Sequence, residues 1–240
     1  LIGSAPATLI DRVLSDKSQG KFRLADARGT IWTGTGRFEL RDAGEWSAAA
    51  SSLAWNFLPR GLMHGRLAFD LALGDASGRI PLRLSPLASR IEFADVDLDM
   101  PATVAGMALP ELAALRLTGR VRIHIGNLGI GPRHLHGDAT IKWENAGSAL
   151  SSVSPLGTYE LSFNGKGGEA KAGLRTLVGP LELSGNSSWK VGERPVMSIT
   201  ALVSRQKRQE LTPFLRLIAV ERADGSFEFR SRQENKPMQP

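Results

Sequence analysis

Several residue types that define whole classes of protein are absent from this sequence. It has no cysteine, which excludes disulfides, thiolate metal sites and cysteine nucleophiles. No apolar run is long enough to span a bilayer, because Gly, Pro or Ser interrupts the longest uncharged stretches. The chain also lacks a nucleophile elbow, a phosphate-binding loop and a dinucleotide fingerprint. We therefore predict that the protein is not an enzyme and uses no cofactor, with a hydrolase whose site is not visible in the sequence as the alternative.

Basic residues outnumber acidic ones, and their distribution narrows the classes of partner. The net charge of +6 and the pI of about 10.1 permit contact with nucleic acid, an anionic lipid surface or an acidic protein. Arg205, Lys207 and Arg208 form the one tight cluster, and we predict that it contacts an acidic partner or lipid headgroups; a solvated loop is the alternative. Nucleic-acid binding is not predicted, because stacking aromatic residues are not interleaved with the basic ones.

Apolar and polar residues alternate along most of the chain from Lys21 onward. The clearest alternation runs from Leu115 to Ile125, where apolar residues share one face while Arg120 and Arg122 lie on the other. Many such segments separated by turns predict a mainly β protein with a large, strongly twisted and curled antiparallel sheet. Few helices remain to cover its apolar face, so we expect a trough or an open sandwich.

Helical spacing predicts one short helix near each end of the chain, over Pro6–Asp16 and Gln209–Val220. The strands between them predict a single β domain over residues 1–232, and the pattern is also compatible with two halves that meet at a seam near residues 101–116. Residues 233–240 are predicted to form a disordered tail.

Three local irregularities are predicted within the strands. The apolar pattern slips by one residue between residues 45 and 57, which indicates a bulge. A second change of face is predicted near Ala94 and Asp95. The alternation also places Met63 on the inward face of a strand that continues through Leu67.

Two groups of side chains have the chemistry of metal ligands. His134 and His136 project from one side of a strand, and His124 lies on the outer face of a neighbouring strand, so the group resembles part of a zinc site. Asp95, Asp97 and Asp99 alternate on one face and carry the oxygen ligands that calcium prefers. Calcium needs roughly six or more oxygens around a loop, and no third zinc ligand is placed convincingly. We therefore predict solvated polar faces at both places, and no metal.

The most distinctive local pattern is the run Gly29-Thr30-Ile31-Trp32-Thr33-Gly34, which precedes an alternating segment. A tryptophan needs a large apolar contact and an acceptor for its indole N–H, and the glycines allow close approach of another strand. This reasoning alone describes a packing motif. The same run resembles the Gly-Thr-x-Trp-x-Gly signature of type II secretion system protein N (GspN).

Further segments of the chain resemble the same family in order. They are the run from Leu53 to Gly61, Pro155–Tyr159, Gly179–Gly185 and the closing helix followed by Asp224-Gly225-Ser226-Phe227. We expect structural roles for the motif residues Gly29, Thr30, Trp32, Gly34, Trp55, Pro59, Gly61, Gly157, Gly179, Pro180, Leu181 and Gly185.

The resemblance implies a place in the bacterial envelope. Members are bitopic, with one membrane helix and a periplasmic domain at the Gram-negative inner membrane, and this sequence lacks the membrane helix. The resemblance also implies contacts with the secretin and inner-membrane platform proteins, and a fold similar to AsmA-like sheets that hold lipid in an apolar trough. We therefore predict an accessory or assembly component of type II secretion; a periplasmic lipid-handling module is the alternative.

Overall fold

The architecture of the chain was obtained as a computed structural model, which describes residues 5–18, 20, 22–42, 45–46, 51–85, 89–107, 114–193 and 196–229. The strands form one sheet of 15 strands in which every neighbouring pair is antiparallel. Within the described residues, the strands Phe22–Gly29 (β1) and Val220–Glu221 (β14) lie at opposite ends of this path and do not pair with each other. The predicted fold class, a mainly β protein with an open antiparallel sheet, is confirmed.

The strands follow chain order with one exception near the C-terminus, where β15 lies between β13 and β14, and β3 pairs only with β2. Their bounds are β1 Phe22–Gly29, β2 Thr33–Asp42, β3 Glu45–Trp46, β4 Ser51–Leu58, β5 Leu67–Leu73, β6 Ile80–Ser85, β7 Arg90–Pro101, β8 Leu117–Ile130, β9 Leu135–Ser148, β10 Gly157–Lys166, β11 Glu169–Val178, β12 Leu181–Lys190, β13 Ser198–Val203, β14 Val220–Glu221 and β15 Phe227–Phe229.

Among the described residues, three α-helices and two 3-10 helices accompany the sheet. They are α1 Thr8–Lys17, α2 Ala102–Met107 and α3 Arg208–Ile218, with 3-10 helices at Pro59–His64 and Arg205–Lys207. The two predicted terminal helices are confirmed as α1 and α3, whereas α2 was not predicted. The bulge predicted within 45–57 falls largely on residues 47–50, and the predicted tail on 233–240; both lie outside the described residues.

Asp95 is the point at which β7 changes face, as predicted. Its φ is +53°, in the left-handed region, and Phe93 and Val96 consequently pack in the same apolar cluster although they are three residues apart. The pairing of β7 with β8 follows this change of face, because Phe93 lies opposite Leu128 and Val96 lies opposite Ile125. The pairing of β8 with β9 shifts between Ile125 and Asn127, which marks a bulge beside the same position.

One face of the sheet carries three apolar clusters, and each is packed against a different helical segment. The N-terminal cluster joins α1 to Leu24 and Trp55, and the middle cluster joins α2 to Val96 and Leu98. The C-terminal cluster contains Leu211, Leu215 and Phe227, each with no exposed surface. The register places all three clusters on the same face, because inward residues continue from strand to strand.

The turns between strands form two opposite rims of the sheet. The helix rim contains α2, residues 149–156 and the start of α3. The turn rim contains the 3-10 helix Pro59–His64, residues 131–134, residues 167–168 and residues 191–193. Backbone hydrogen bonds join these turns side by side: Leu135 N–H donates to Gly167 O (2.8 Å) and Val191 N–H to Gly168 O (2.9 Å). The two rims therefore present different chemistry at the two ends of the strands.

Helix α1 occupies the free edge of β1. Leu24 N–H donates to an Asp11 carboxylate oxygen (2.7 Å), and Phe22 N–H donates to the Ser18 hydroxyl (3.0 Å). At the opposite end, the two-residue strand β14 carries Glu221, which pairs with Arg216 (2.8 Å). Both ends of the sheet are thus short, charged or already hydrogen-bonded, which are the features that discourage addition of another strand.

Candidate functional site

The Gly-Thr-x-Trp motif forms a turn against which a second tryptophan packs. β1 ends at Gly29 and β2 begins at Thr33, so the motif forms the turn between them. Trp55 of β4 lies over this turn, almost fully buried, and its indole N–H donates to Thr30 O (3.0 Å). A Cβ at Gly34 would lie 2.5 Å from the Trp55 ring. Gly34 therefore permits the close approach that holds Trp55 in place.

Trp32 begins a ladder of aromatic rings that extends from this turn across the sheet. Its ring centroid lies 4.7 Å from that of Phe57, which in turn lies 5.3 Å from that of Phe69. The register continues the ladder across the sheet, since Phe69 pairs with Leu82 and Leu82 with Phe93. The motif is therefore joined to the apolar face of β4–β7.

This part of the apolar face lies outside the helix-covered clusters. Within the described residues, none of the three clusters includes Phe57, Phe69, Leu82 or Leu84, and each of these side chains is half-buried. We call these four residues, with Leu67, the open apolar face. All five residues are apolar, so this face carries no charged side chain of its own.

The second set of motif residues fixes the corner between β10, β11 and β12. The buried Tyr159 hydroxyl donates to Leu181 O (3.0 Å), and burial raises the pKa of Tyr159. Gly179 has a φ of +139°, and a Cβ there would lie 2.7 Å from Leu156 O. Pro180 lies between Gly179 and Leu181 in the turn that starts β12. These residues bring two backbones together and leave no reactive group exposed.

The remaining motif residues lie where another backbone or side chain approaches closely, within β12 for Gly185 and at strand ends or turns for the others. A Cβ at Gly185 would lie 2.7 Å from Ser198 O of the neighbouring strand. Pro59 occupies the first turn of the 3-10 helix Pro59–His64. A Cβ at Gly157 would lie 2.8 Å from the Tyr159 hydroxyl, and one at Gly61 2.7 Å from Arg66 O.

The predicted basic cluster lies where β13 meets α3. Lys207 Nζ pairs with Glu210 (2.8 Å), and the Arg208 guanidinium donates to Gly225 O (2.9 Å). In the described part of the chain, Arg205 is exposed and has no acidic partner. Of the three cations, Arg205 is therefore the one whose charge is most accessible to a partner.

The outer face of β7–β9 carries a network of paired charges. Asp97 bonds the His124 ring (Oδ1 to Nδ1, 2.6 Å), and this hydrogen bond, followed by the charge of Asp97, raises the pKa of His124. Asp99 pairs with Arg120 (2.8 Å) and lies 3.7 Å from Arg122. Of the three aspartates considered as calcium ligands, Asp97 therefore faces a histidine and Asp99 faces two arginines.

Metal ligation finds no support in the described ranges. No group of three or more His, Cys, Asp or Glu side chains there has a geometry that holds a metal ion. His136 lies across Gly129 of the paired strand, and His134 is exposed in the turn that precedes β9. We assign no ligand role to these histidines.

Met63 lies outside the strand in which the alternation predicts it. It belongs to the 3-10 helix Pro59–His64 and is 88% exposed, so the inward placement was wrong. Pro59 fixes the first φ of that helix, and Gly65, at φ +64°, ends it before β5 begins. The side-by-side apolar pair Leu62 and Met63 between Pro59 and Gly65 is the signal that favours an exposed turn.

Comparison with known proteins identifies the family. The family model described as "Type II secretion system (T2SS), protein N" matches residues 21–230, from just before β1 to just after β15. Searches of curated proteins and of solved structures found no match. Among the described helices, none combines the length and apolarity needed to cross a bilayer. Because the match covers most of the chain, the protein belongs to the type II secretion system protein N family, as the ordered motifs predict.

Proposed function

We propose that this protein is a non-enzymatic accessory or assembly component of the type II secretion system that acts through protein contacts in the periplasm. Membership of the family implies association with other components of the system and a location in the cell envelope. The single observation that carries the proposal is the family match across the whole described sheet. By analogy with the family, we further propose that a membrane helix anchors the complete protein at the periplasmic face of the inner membrane.

The partners proposed are the secretin and the inner-membrane platform proteins. Side chains, rather than strand addition, are the better candidates for this contact, because α1 occupies one edge of the sheet and β14 is short and charged. Arg205, Lys207 and Arg208 form the proposed contact, and Arg205 contributes most because its charge is not paired within the described chain.

Binding to isolated partner domains tests the proposal. The protein is immobilised, and periplasmic domains of the secretin and of each platform protein are passed over it at rising concentrations. We expect saturable binding to at least one of them. Arg205→Glu should weaken that binding by about fivefold or more, because reversing a contact charge costs on the order of 1 kcal/mol or more.

Arg79→Glu provides the matched control. Arg79 is similarly exposed but lies before β6, far along the sheet from α3, and faces Asp70 at 3.7 Å. Its variant should bind as the unaltered protein does. Absence of binding to every secretin and platform domain at high concentration would contradict the proposed function.

Lipid handling is the second candidate, and the open apolar face favours it. Phe57, Phe69 and Leu82 form a continuous apolar row, and within the described residues they belong to none of the clusters that pack against α1, α2 or α3. Acyl chains bound there would cover surface that the sheet leaves to water. This function uses the face of the sheet, whereas the secretion contact uses the region around α3, so the two are separable.

Native mass spectrometry of the purified protein, followed by lipid extraction, tests this second function. We expect co-purified acyl lipid that is lost in Leu82→Glu. Leu202→Glu is the control, because Leu202 is 49% exposed on the opposite face, where it pairs with Glu182. Protein free of lipid, or equal lipid content in both variants, would exclude lipid handling by the open apolar face.

A further inference from the structure

We propose that the turn rim docks onto an anionic lipid bilayer, with Leu62 and Met63 entering the interface and the neighbouring cations contacting lipid headgroups. This inference does not depend on the secretion assignment or on lipid held by the open apolar face. It rests on the coincidence, along one rim, of exposed apolar side chains and unpaired positive charge.

The apolar part of this rim is presented by a well-formed turn. Leu62 and Met63 are adjacent in the 3-10 helix and expose 54% and 88% of their surfaces. Gly65 N–H donates to Leu62 O (2.9 Å) and Arg66 N–H to Gly61 O (3.0 Å), so backbone hydrogen bonds hold the turn. An apolar pair presented in this way loses little conformational freedom on binding, which favours association with an apolar layer.

A second apolar pair lies further along the same rim. Ile91 and Ile130 are directly paired across β7 and β8, and they expose 40% and 41% of their surfaces. Ile91 also pairs with Leu84 of the open apolar face. The exposed apolar surface of the rim therefore continues into that face.

Positive charge surrounds these apolar residues. Within the described residues, no salt bridge is formed by the side chains of Arg60, Arg133, Lys166 or Lys190, although Glu169 lies opposite both lysines in the register. Arg66 and Arg90 share Glu92 at 3.5 and 3.7 Å. The acidic side chains in the adjoining turns and strand ends are Glu169 and Glu193. The rim therefore keeps an excess of positive charge, which is complementary to an anionic surface.

The arrangement fits a bilayer better than a protein groove. The two apolar pairs lie at separate places along the rim, one in the 3-10 helix and one at the paired ends of β7 and β8. Long cationic side chains flank them, so apolar stems can enter the interface while the charges reach headgroups. Helix α3 differs in this respect. Its Leu217, near the C-terminal end of the helix, is 71% exposed, but the neighbouring Arg216 is neutralised by Glu221.

Single-site fluorescence tests the contact cleanly, because the chain contains no cysteine. Met63→Cys and, as control, Leu217→Cys are each labelled with the environment-sensitive dye NBD. Both proteins are mixed with vesicles of equal parts phosphatidylglycerol and phosphatidylcholine, and with phosphatidylcholine vesicles. We expect a blue shift and stronger emission from the dye at position 63 with the anionic vesicles, and no change at position 217.

Two sets of variants measure which side chains contribute. Leu62→Ser with Met63→Ser should reduce the vesicle partition coefficient at least tenfold, and Arg60→Gln with Arg133→Gln should reduce it about 30-fold, at roughly fivefold for each lost charge. Arg79→Gln with Arg116→Gln is the control and should leave the coefficient unchanged, because both arginines are exposed at the opposite rim, before β6 and β8. Raising salt from about 0.1 M to about 1 M should abolish binding, because the Debye length falls from about 10 Å to about 3 Å.

An unchanged dye at position 63 with anionic vesicles would overturn the proposal. So would equal vesicle binding by the Leu62/Met63 variant and the unaltered protein, both of which should fold because these side chains are exposed. A dye response at position 63 to a secretion component but not to vesicles would also overturn it, and would assign the rim to a protein partner. The Arg205 binding test reports on the secretion proposal separately.

Discussion

Two regions of the apolar sheet face, one around α3 and one over β4–β6, differ in how they are covered. At the C-terminal end, α3 packs on the sheet, and Leu211, Leu215 and Phe227 retain no exposed surface. Over β4–β6, the side chains have the same apolar character, but Phe69 and Leu82 remain half-buried. The difference shows that alternation produces an apolar face, whereas a helix in contact with that face decides whether it becomes core.

The largest expected effect tests this comparison directly. Leu211→Ala should lower the free energy of unfolding by about 2–5 kcal/mol, because it opens a cavity in a fully covered cluster. Leu82→Ala, the matched change on the open apolar face, should cost less than about 1.5 kcal/mol. Urea denaturation of both variants measures the two values. An equal loss at both positions would mean that the open apolar face is covered in the folded protein.

The next effect concerns the packing of Trp55 against the Gly-Thr-x-Trp turn, beside the open apolar face. Gly34→Ala should destabilise the protein by about 1–3 kcal/mol, because the added methyl group would collide with the Arg28 carbonyl oxygen and with the Trp55 ring. Gly168→Ala is the control: its Cβ would meet no atom within 4 Å, and its cost should stay within about 0.5 kcal/mol. Thermal unfolding compares the two, and a mild Gly34→Ala variant would show that both the β1 backbone and the Trp55 ring move aside.

A smaller effect is expected at the corner that borders the covered end. Tyr159→Phe should lower stability by about 1 kcal/mol at neutral pH, because Leu181 O loses its donor. Burial raises the pKa of Tyr159, so above the ordinary tyrosine value of about 10 the unfolded chain ionises first and stability falls as pH rises. The Tyr159→Phe variant should therefore lose less stability than the unaltered protein as pH rises above this value. Urea denaturation at several pH values measures the difference.

The smallest effect belongs to the polar side of the sheet. Asp97 raises the pKa of His124, so the contribution of this pair is fully present below the unfolded value of about 6.5 and is lost as pH rises through the folded pKa. NMR titration of the His124 ring should show the raised pKa, and Asp97→Asn should return it towards its ordinary value. An unchanged titration in that variant would remove Asp97 as the cause.

Alternation predicted the regular strands well. In β8 it separates the buried Leu117 and Val121 from the exposed Arg120 and Arg122, because each residue of a paired strand has one of only two directions available. It also anticipated the change of face at Asp95, since a strand apolar on one side shows any slip as a shift of parity.

Features that depend on distant contacts were not predictable. Helix α2 has weak local preference, with Thr, Val and Gly in six residues, and forms where Ala102 packs into the middle cluster. The closeness of the three basic residues in the sequence suggested the cluster around Arg205. It did not indicate that Arg208 donates a hydrogen bond to Gly225 O, 17 residues further along the chain. The family role came from ordered motifs, because the residues in those motifs serve packing and have no reactive chemistry.

The contact between the Asp11 carboxylate of α1 and the first strand also affects how the protein can associate with itself. A sheet with this many strands would stack into fibrils if its outermost N–H groups were available to a second copy. By accepting the hydrogen bond from the Leu24 N–H, Asp11 makes this donor unavailable to a second copy. Replacing Asp11 should therefore make the protein prone to self-polymerisation before it becomes markedly less stable.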